Sequence, residues 1–160
     1  MSYLIDGHNL IPKIAGLSLR QIDDEVRLVE LLQVFCRVRR KKVEVYFDQA
    51  PPGRAGTRHF GMVTAHFVRQ GIAADEAILE RLNRLQQAAR NWTVVTSDRH
   101  IRVQARSMLA QVISSEEFAV QLSESQQQIT EKNKKQPENL NQDEVEEWLR
   151  IFRARDRHIK

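Results

Sequence analysis

Short apolar segments alternate with amphipathic ones along the first 122 residues of this 160-residue chain, and that alternation limits the possible folds more than any other feature. "YLID" reads as a buried strand and "KKVEVYFD" as a second, with Val43, Val45 and Phe47 on one face. "MVTAHFV", "WTVVTSD" and "AQVI" supply a third, fourth and fifth. Between the first two, "IDDEVRLVELLQVFCRVRRKK" places Ile22, Val26, Val29, Leu32 and Phe35 at helical spacing. Its acids, Asp23, Asp24 and Glu25, fall in the first turn and its cations, Arg37 to Lys42, at the end, which suits the helix dipole as well as it would a nucleic-acid patch. "AADEAILERLNRLQQAARN" is a second amphipathic helix, and a short one follows Asp98 with Ile101, Val103 and Met108. In "SSEEFAVQL", Ser114 stands three residues before Glu117, a capping-box spacing. Strands apolar on both faces, alternating with helices, predict an α/β fold: a three-layer α/β/α arrangement around a mainly parallel central sheet.

The pattern stops after residue 122. "SESQQQITEKNKKQPENLNQ" is polar, lacks aromatics and contains Pro137, so residues 123–141 are expected to be a linker or disordered. The end differs again: "DEVEEWLRIFRARDRHIK" spaces Val145, Trp148, Leu149 and Phe152 as an amphipathic helix over 142–160, suited to packing back or docking on a partner. The division is therefore a domain over 1–122, a linker over 123–141 and a terminal helix. The formal charge of +4 belongs entirely to the first part, because residues 123–160 carry eight cations and eight anions. A polyanionic partner is permitted by that charge and no more. No apolar run approaches the roughly 20 residues of a membrane span. No secretory signal opens the chain, which is expected to begin at Met1 or Ser2 when mature. The lone Cys36 can form neither an internal disulfide nor a CxxC site and is expected in the core. These features suit a cytoplasmic protein.

Ligands of open parallel sheets bind beyond the carboxyl ends of the strands, and here those ends are repeatedly acidic. The first strand delivers Asp6 and then Asn9, the second Asp48, the "GIAADE" after the third Asp75 and Glu76, and the fourth Asp98. Singly, each has a structural explanation as a helix cap, a dipole partner or a turn residue. Together on one rim they would repel one another unless a cation or a proton relieved them. Hard oxygen ligands in a solvated cleft suit Mg2+ or Mn2+, which need few protein carboxylates and can activate a water against a phosphodiester. Arg54 and Arg58, in the turn-rich "QAPPGRAGTRHFG", and Arg99 are candidates to hold a polyanion, although ordinary surface solvation explains them equally well.

Other chemistries fit the spacing less well. An aspartyl phosphotransferase would want an acid where His8 stands, and neither GxGxxG nor GxxxxGK[ST] occurs. The five histidines include no zinc spacing; His8 reads as a surface residue without a task, and Ser97 as the cap of the helix after it.

"YLIDGHNLI" with its Asp-Gly-x-Asn, "EVYFD", "GIAADEAILERL" and "WTVVTSDRHI", in this order, resemble the NYN domain of the PIN-like nuclease superfamily, most closely its bacterial YacP-type subgroup. The resemblance covers about residues 3–122. It implies a PIN-like fold and a metal-dependent endoribonuclease, some members of which act on mRNA in association with ribosomes. It makes Asp6, Asp75 and Asp98 the metal-binding carboxylates and Asn9 their polar partner, fixing Asp6 or a metal-bound water. Asp48 becomes a less secure additional acid. Glu76 stands where some relatives have a second aspartate, and Arg102 where some have another acid. That thinner cluster keeps open a non-catalytic RNA- or ribosome-binding module, and, beyond it, an adaptor that binds a partner through Trp148 and Phe152.

Overall fold

The computed structural model describes residues 1–17 and 23–135. Its elements run β1 (Ser2–Asp6), α1 (Gly7–Leu10), a 3-10 turn (Ile11–Lys13), α2 (Asp23–Arg39), β2 (Lys42–Ala50), β3 (Gly56–Phe60), β4 (Val63–Arg69), α3 (Ala74–Leu85), a second 3-10 segment (Gln86–Asn91), β5 (Trp92–Val95), α4 (Arg99–Ser107), β6 (Gln111–Ile113) and α5 (Ser115–Lys135). The strands form one six-stranded sheet in the order β3-β4-β2-β1-β5-β6. Every neighbouring pair is parallel except β3 with β4. This is the expected α/β architecture, with β1 in the middle: Ile5 faces Val45 on one side and Val95 on the other. Leu4 and Ile5 are fully buried, because a central strand covered by helices on both faces has no solvent side.

Both faces of the sheet carry a core. Leu4, Tyr46 and Val94 pack against Ala74, Ile78 and Leu82 of α3 and Ala105 of α4. On the other face Tyr3, Phe35 of α2 and Phe118 of α5 meet edge-on and tilted, with ring centroids 4.9–5.5 Å apart. Cys36 is buried as expected, and burial pushes its thiol up to about 12. Among the described residues no helix is long and apolar enough to cross a membrane.

Two local expectations need correction. The segment after Asp48 is not all loop: Gly56–Phe60 pairs antiparallel with β4 as an edge strand, turning through Gly61 at φ 62°. Its glycines and polar alternation hid a strand that needs only one buried end, Phe60. Nor is the polar stretch from residue 123 irregular from its start. α5 continues to Lys135, because its Gln, Glu and Lys are adequate helix formers and no glycine or proline interrupts them. Its earlier turns are anchored in the core by Phe118 and Leu122. Gly7 has an ordinary helical backbone and serves close approach: a Cβ there would lie 2.6 Å from Cδ1 of Phe47 and 3.0 Å from the Tyr46 carbonyl oxygen. Met1–Gln126 forms one compact unit; the remaining linker residues 136–141 and the expected helix over 142–160 lie outside the described residues.

Candidate active site at the carboxyl rim of the sheet

Asp6 ends β1 and caps α1, its Oδ1 accepting the backbone N–H of Asn9 at 3.4 Å. The carboxyl is largely buried, and its proton affinity rises to about 6. Burial is the main cause, the Asn9 N–H opposes it, and the charges of Asp48 and Asp75 add to it. Two other expected acids, on β2 and α3, thus bear on Asp6 at the end of β1.

Asp48 is not the opening of a loop. It lies within β2, at an irregularity where Gln49 takes φ 59° and the register with β4 shifts. That kink lets the carboxylate serve two elements at once. Oδ1 meets Nδ1 of His8 at 2.7 Å, and Oδ2 accepts the N–H of Ala74 at 3.4 Å. α3 has no capping side chain at Ala73, so Asp48 supplies a cap from another strand. Asp75, in the first turn of α3, accepts the N–H of Glu76 at 2.8 Å, while the Glu76 side chain is exposed.

His8 is not the idle surface residue expected. Its Nε2 meets Oε1 of Glu25 at 3.4 Å, so the ring is clamped between α2 and β2. Both partners are carboxylates, which requires a proton on each ring nitrogen. The hydrogen bond to Glu25 leads, burial opposes, and Asp48 adds, raising the group to about 9. Sequence reasoning missed this cluster, and no spacing rule would have found it.

Asn9 departs from its expected part. Its backbone N–H fixes Asp6, but its side-chain Oδ1 accepts from Ser97 N at 3.0 Å and from Ser115 Oγ at 2.6 Å. The backbone donor settles which end of the amide is oxygen, so only Nδ2 remains for the site. Ser97, in turn, is no helix cap. Its hydroxyl donates to Oε2 of Glu116 at 2.6 Å and accepts the N–H of Ser115 at 3.1 Å. With Lys13 at 3.1 Å on the other oxygen, Glu116 is held down to about 2, the Ser97 hydroxyl being the first cause. Asn9, Ser97 and Ser115 therefore brace the ends of β1, β5 and the start of α5.

The cap of α4 is Asp98 itself, whose Oδ1 accepts from His100 N at 2.9 Å and Ile101 N at 3.3 Å. Ser114 does cap α5, accepting the N–H of Glu117 at 3.1 Å as its spacing implied. Arg54 lies in the turn after β2 and Arg99 opens α4, exposed. Arg58 places its guanidinium 5.3 Å from the Phe67 ring centre; Phe67 stacks on Phe47, which abuts His8.

Hard carboxylate donors at the rim, and the charges of Asp48 and Asp75 that oppose ionisation of Asp6, match the chemistry of a divalent cation site. Among the described residues, however, no three His, Cys, Asp or Glu side chains are gathered closely enough to enclose an ion by themselves. A small hard cation that keeps waters and substrate oxygens in its shell fits one or two of these carboxylates better than a protein cage.

The family model of the YacP-like NYN domain matches residues 3–153. No curated protein matches the chain in sequence. In structure, the chain is similar to the crystal structure of Rae1 (YacP) from Bacillus subtilis, with a TM-score of 0.68, 22% identity, and coverage of 98% of this chain and 95% of that one. A point mutant of the same Bacillus protein matches equally, at 0.68 and 22%, over 92% and 89%.

Proposed function

This chain belongs to the YacP-like NYN domain family, and from that premise we propose that it is a metal-dependent endoribonuclease hydrolysing RNA phosphodiester bonds. The proposed substrate is mRNA, in a ribosome-associated setting. One observation carries this reading: the middle strand of a parallel sheet ends in a sequestered carboxyl, Asp6, whose ionisation two neighbouring acids oppose.

Asp6, Asp75 and Asp98 are the proposed carboxylates for Mg2+ or Mn2+, one or two of them holding the ion directly and the rest acting through its waters. The ion, when bound, supplies positive charge against the phosphodiester and lowers the pKa of a water. The protein's own groups do the positioning. Asn9 holds Asp6 through its backbone N–H, and Asp48 anchors the helix that carries Asp75. His8 holds Asp48, and Arg54, Arg58 and Arg99 are the proposed contacts to the RNA backbone. The products would carry a 5′-phosphate and a 3′-hydroxyl.

Labelled single-stranded RNA tests this directly. Cleavage should require Mg2+ or Mn2+, stop with a chelator, and fall by about 100-fold or more in Asp6→Asn and in Asp98→Asn. Undiminished cleavage in both variants would sink the assignment. Arg102, which stands where some relatives have another acid, favours, as a second reading, a non-catalytic RNA-binding module. That reading wins if the folded protein binds RNA and no metal supports cleavage.

A further inference from the structure

α4 breaks a rule that the other long helices obey. α2, α3 and α5 open with acids in the first turn: Asp23, Asp24 and Glu25; Asp75 and Glu76; Glu116 and Glu117. α4 opens with Arg99 and His100, has no acidic residue anywhere, and adds Arg102 and Arg106. Arg99 and His100 at the positive end of the helix dipole oppose its stability, whereas Arg106 in the last turn suits it, so the dipole does not explain how the helix opens.

The arginines are also ordered. Spacings of three and four residues put Arg99, Arg102 and Arg106 within about 60° of one another around the axis, spread over about 10 Å of its length. Ile101 and Ala105 bury the adjoining flank in the core, about 110° around the axis from the stripe, which fixes its direction. Three arginines on other helices meet carboxylates: Arg39 with Glu124 at 3.2 Å, Arg81 with Glu44 at 3.2 Å, Arg84 with Glu80 at 2.6 Å. Among the described residues, none of the three on α4 is in an ion pair. Arg102 is half-buried and its Nε is sheltered without an acceptor, so packing rather than a counter-ion holds the side chain. The stripe begins one residue after Asp98, the rim carboxylate that caps the same helix.

We propose that Arg99, Arg102 and Arg106 form the track on which the phosphate backbone of single-stranded RNA lies as it leaves the acidic rim, so that substrate runs along α4. This rests on the nuclease reading for its substrate class and makes Arg102, which stands where some relatives have an acid, a binding residue. Guanidinium groups suit this task because they stay charged and present a planar fork of donors to phosphate oxygens.

The test is fluorescence anisotropy of the full chain with a 5′-fluorescein single-stranded RNA, in chelator so that no turnover occurs, at a series of monovalent salt concentrations. Arg102→Gln and Arg106→Gln should each weaken binding about fivefold at 0.1 M salt and reduce the slope of log affinity against log salt by about 0.7. Arg102→Lys should restore most of the slope. Arg84→Gln, which removes an arginine already neutralised by Glu80, should change neither quantity. In cleavage assays the α4 variants should raise KM more than they lower kcat. Unchanged slopes in both glutamine variants, or an equal loss in Arg84→Gln, overturn the track. The two readings fail separately: altered slopes in a protein that never cleaves RNA overturn the nuclease and support the track, whereas metal-dependent cleavage with unaltered slopes overturns the track alone.

Discussion

Asp6 and His8 stand two residues apart and both hold a proton more tightly in the folded chain, for opposite reasons. Burial penalises the Asp6 carboxylate, whereas Glu25 and Asp48 stabilise the His8 imidazolium. Linkage gives both the same sign. Asp6, raised to about 6, contributes stability below about pH 4 that is lost as pH rises through about 6. His8, raised to about 9, contributes stability below about pH 6.5 that is lost as pH rises through about 9. In metal-free protein, Asp6→Asn should therefore be more stable than wild type at pH 7.5, by on the order of 2 kcal/mol, with the difference vanishing toward pH 4. Urea unfolding in chelator across that range measures it, and a variant less stable than wild type at pH 7.5 contradicts it. Asn remains a good helix cap, so α1 should not suffer. A residue that costs stability and is kept at the end of the middle strand fits a binding task better than a structural one.

Elements deliver these side chains through caps and close contacts. α1 is only Gly7–Leu10, yet it sets Asp6, His8 and Asn9 because Gly7 lies flat against Phe47. Gly7→Ala would drive a methyl into that ring and toward the Tyr46 carbonyl, with little freedom to yield because Phe47 is fully buried. The expected cost is about 1–3 kcal/mol, read as a lower urea midpoint with unchanged slope, together with loss of RNA cleavage. An unaltered midpoint would show that Phe47 moves aside. The strand periods, the amphipathic helices and the Ser114 cap were legible because each depends on residues within one or two turns. The edge strand β3 and the continuation of α5 were not. Composition argued for loop in both, and pairing with β4 in one case, core anchoring of the earlier turns in the other, outweighed it.

At the scale of the whole molecule, all the proposed rim acids lie between residues 6 and 98, within the unit Met1–Gln126. Removing residues 141–160 should therefore leave metal-dependent RNA cleavage within about threefold of the full chain, a rate difference smaller than one strong hydrogen bond would make. Complete loss of cleavage with native circular dichroism would assign the terminal segment to the site. Local sequence carried the element types, the acids at the strand ends, the single buried cysteine and the family resemblance, since all of these are properties of short stretches. Tertiary structure alone decided which of those stretches meet. His8 reaches Glu25 and Asp48 across 17 and 40 residues, and Asn9 reaches Ser97 and Ser115 across 88 and 106. Those contacts exist because β1 is seated between β2 and β5, and pairing order is a long-range choice that no local period records. The same seating places Asp6 where burial, with the charges of Asp48 and Asp75, opposes its ionisation.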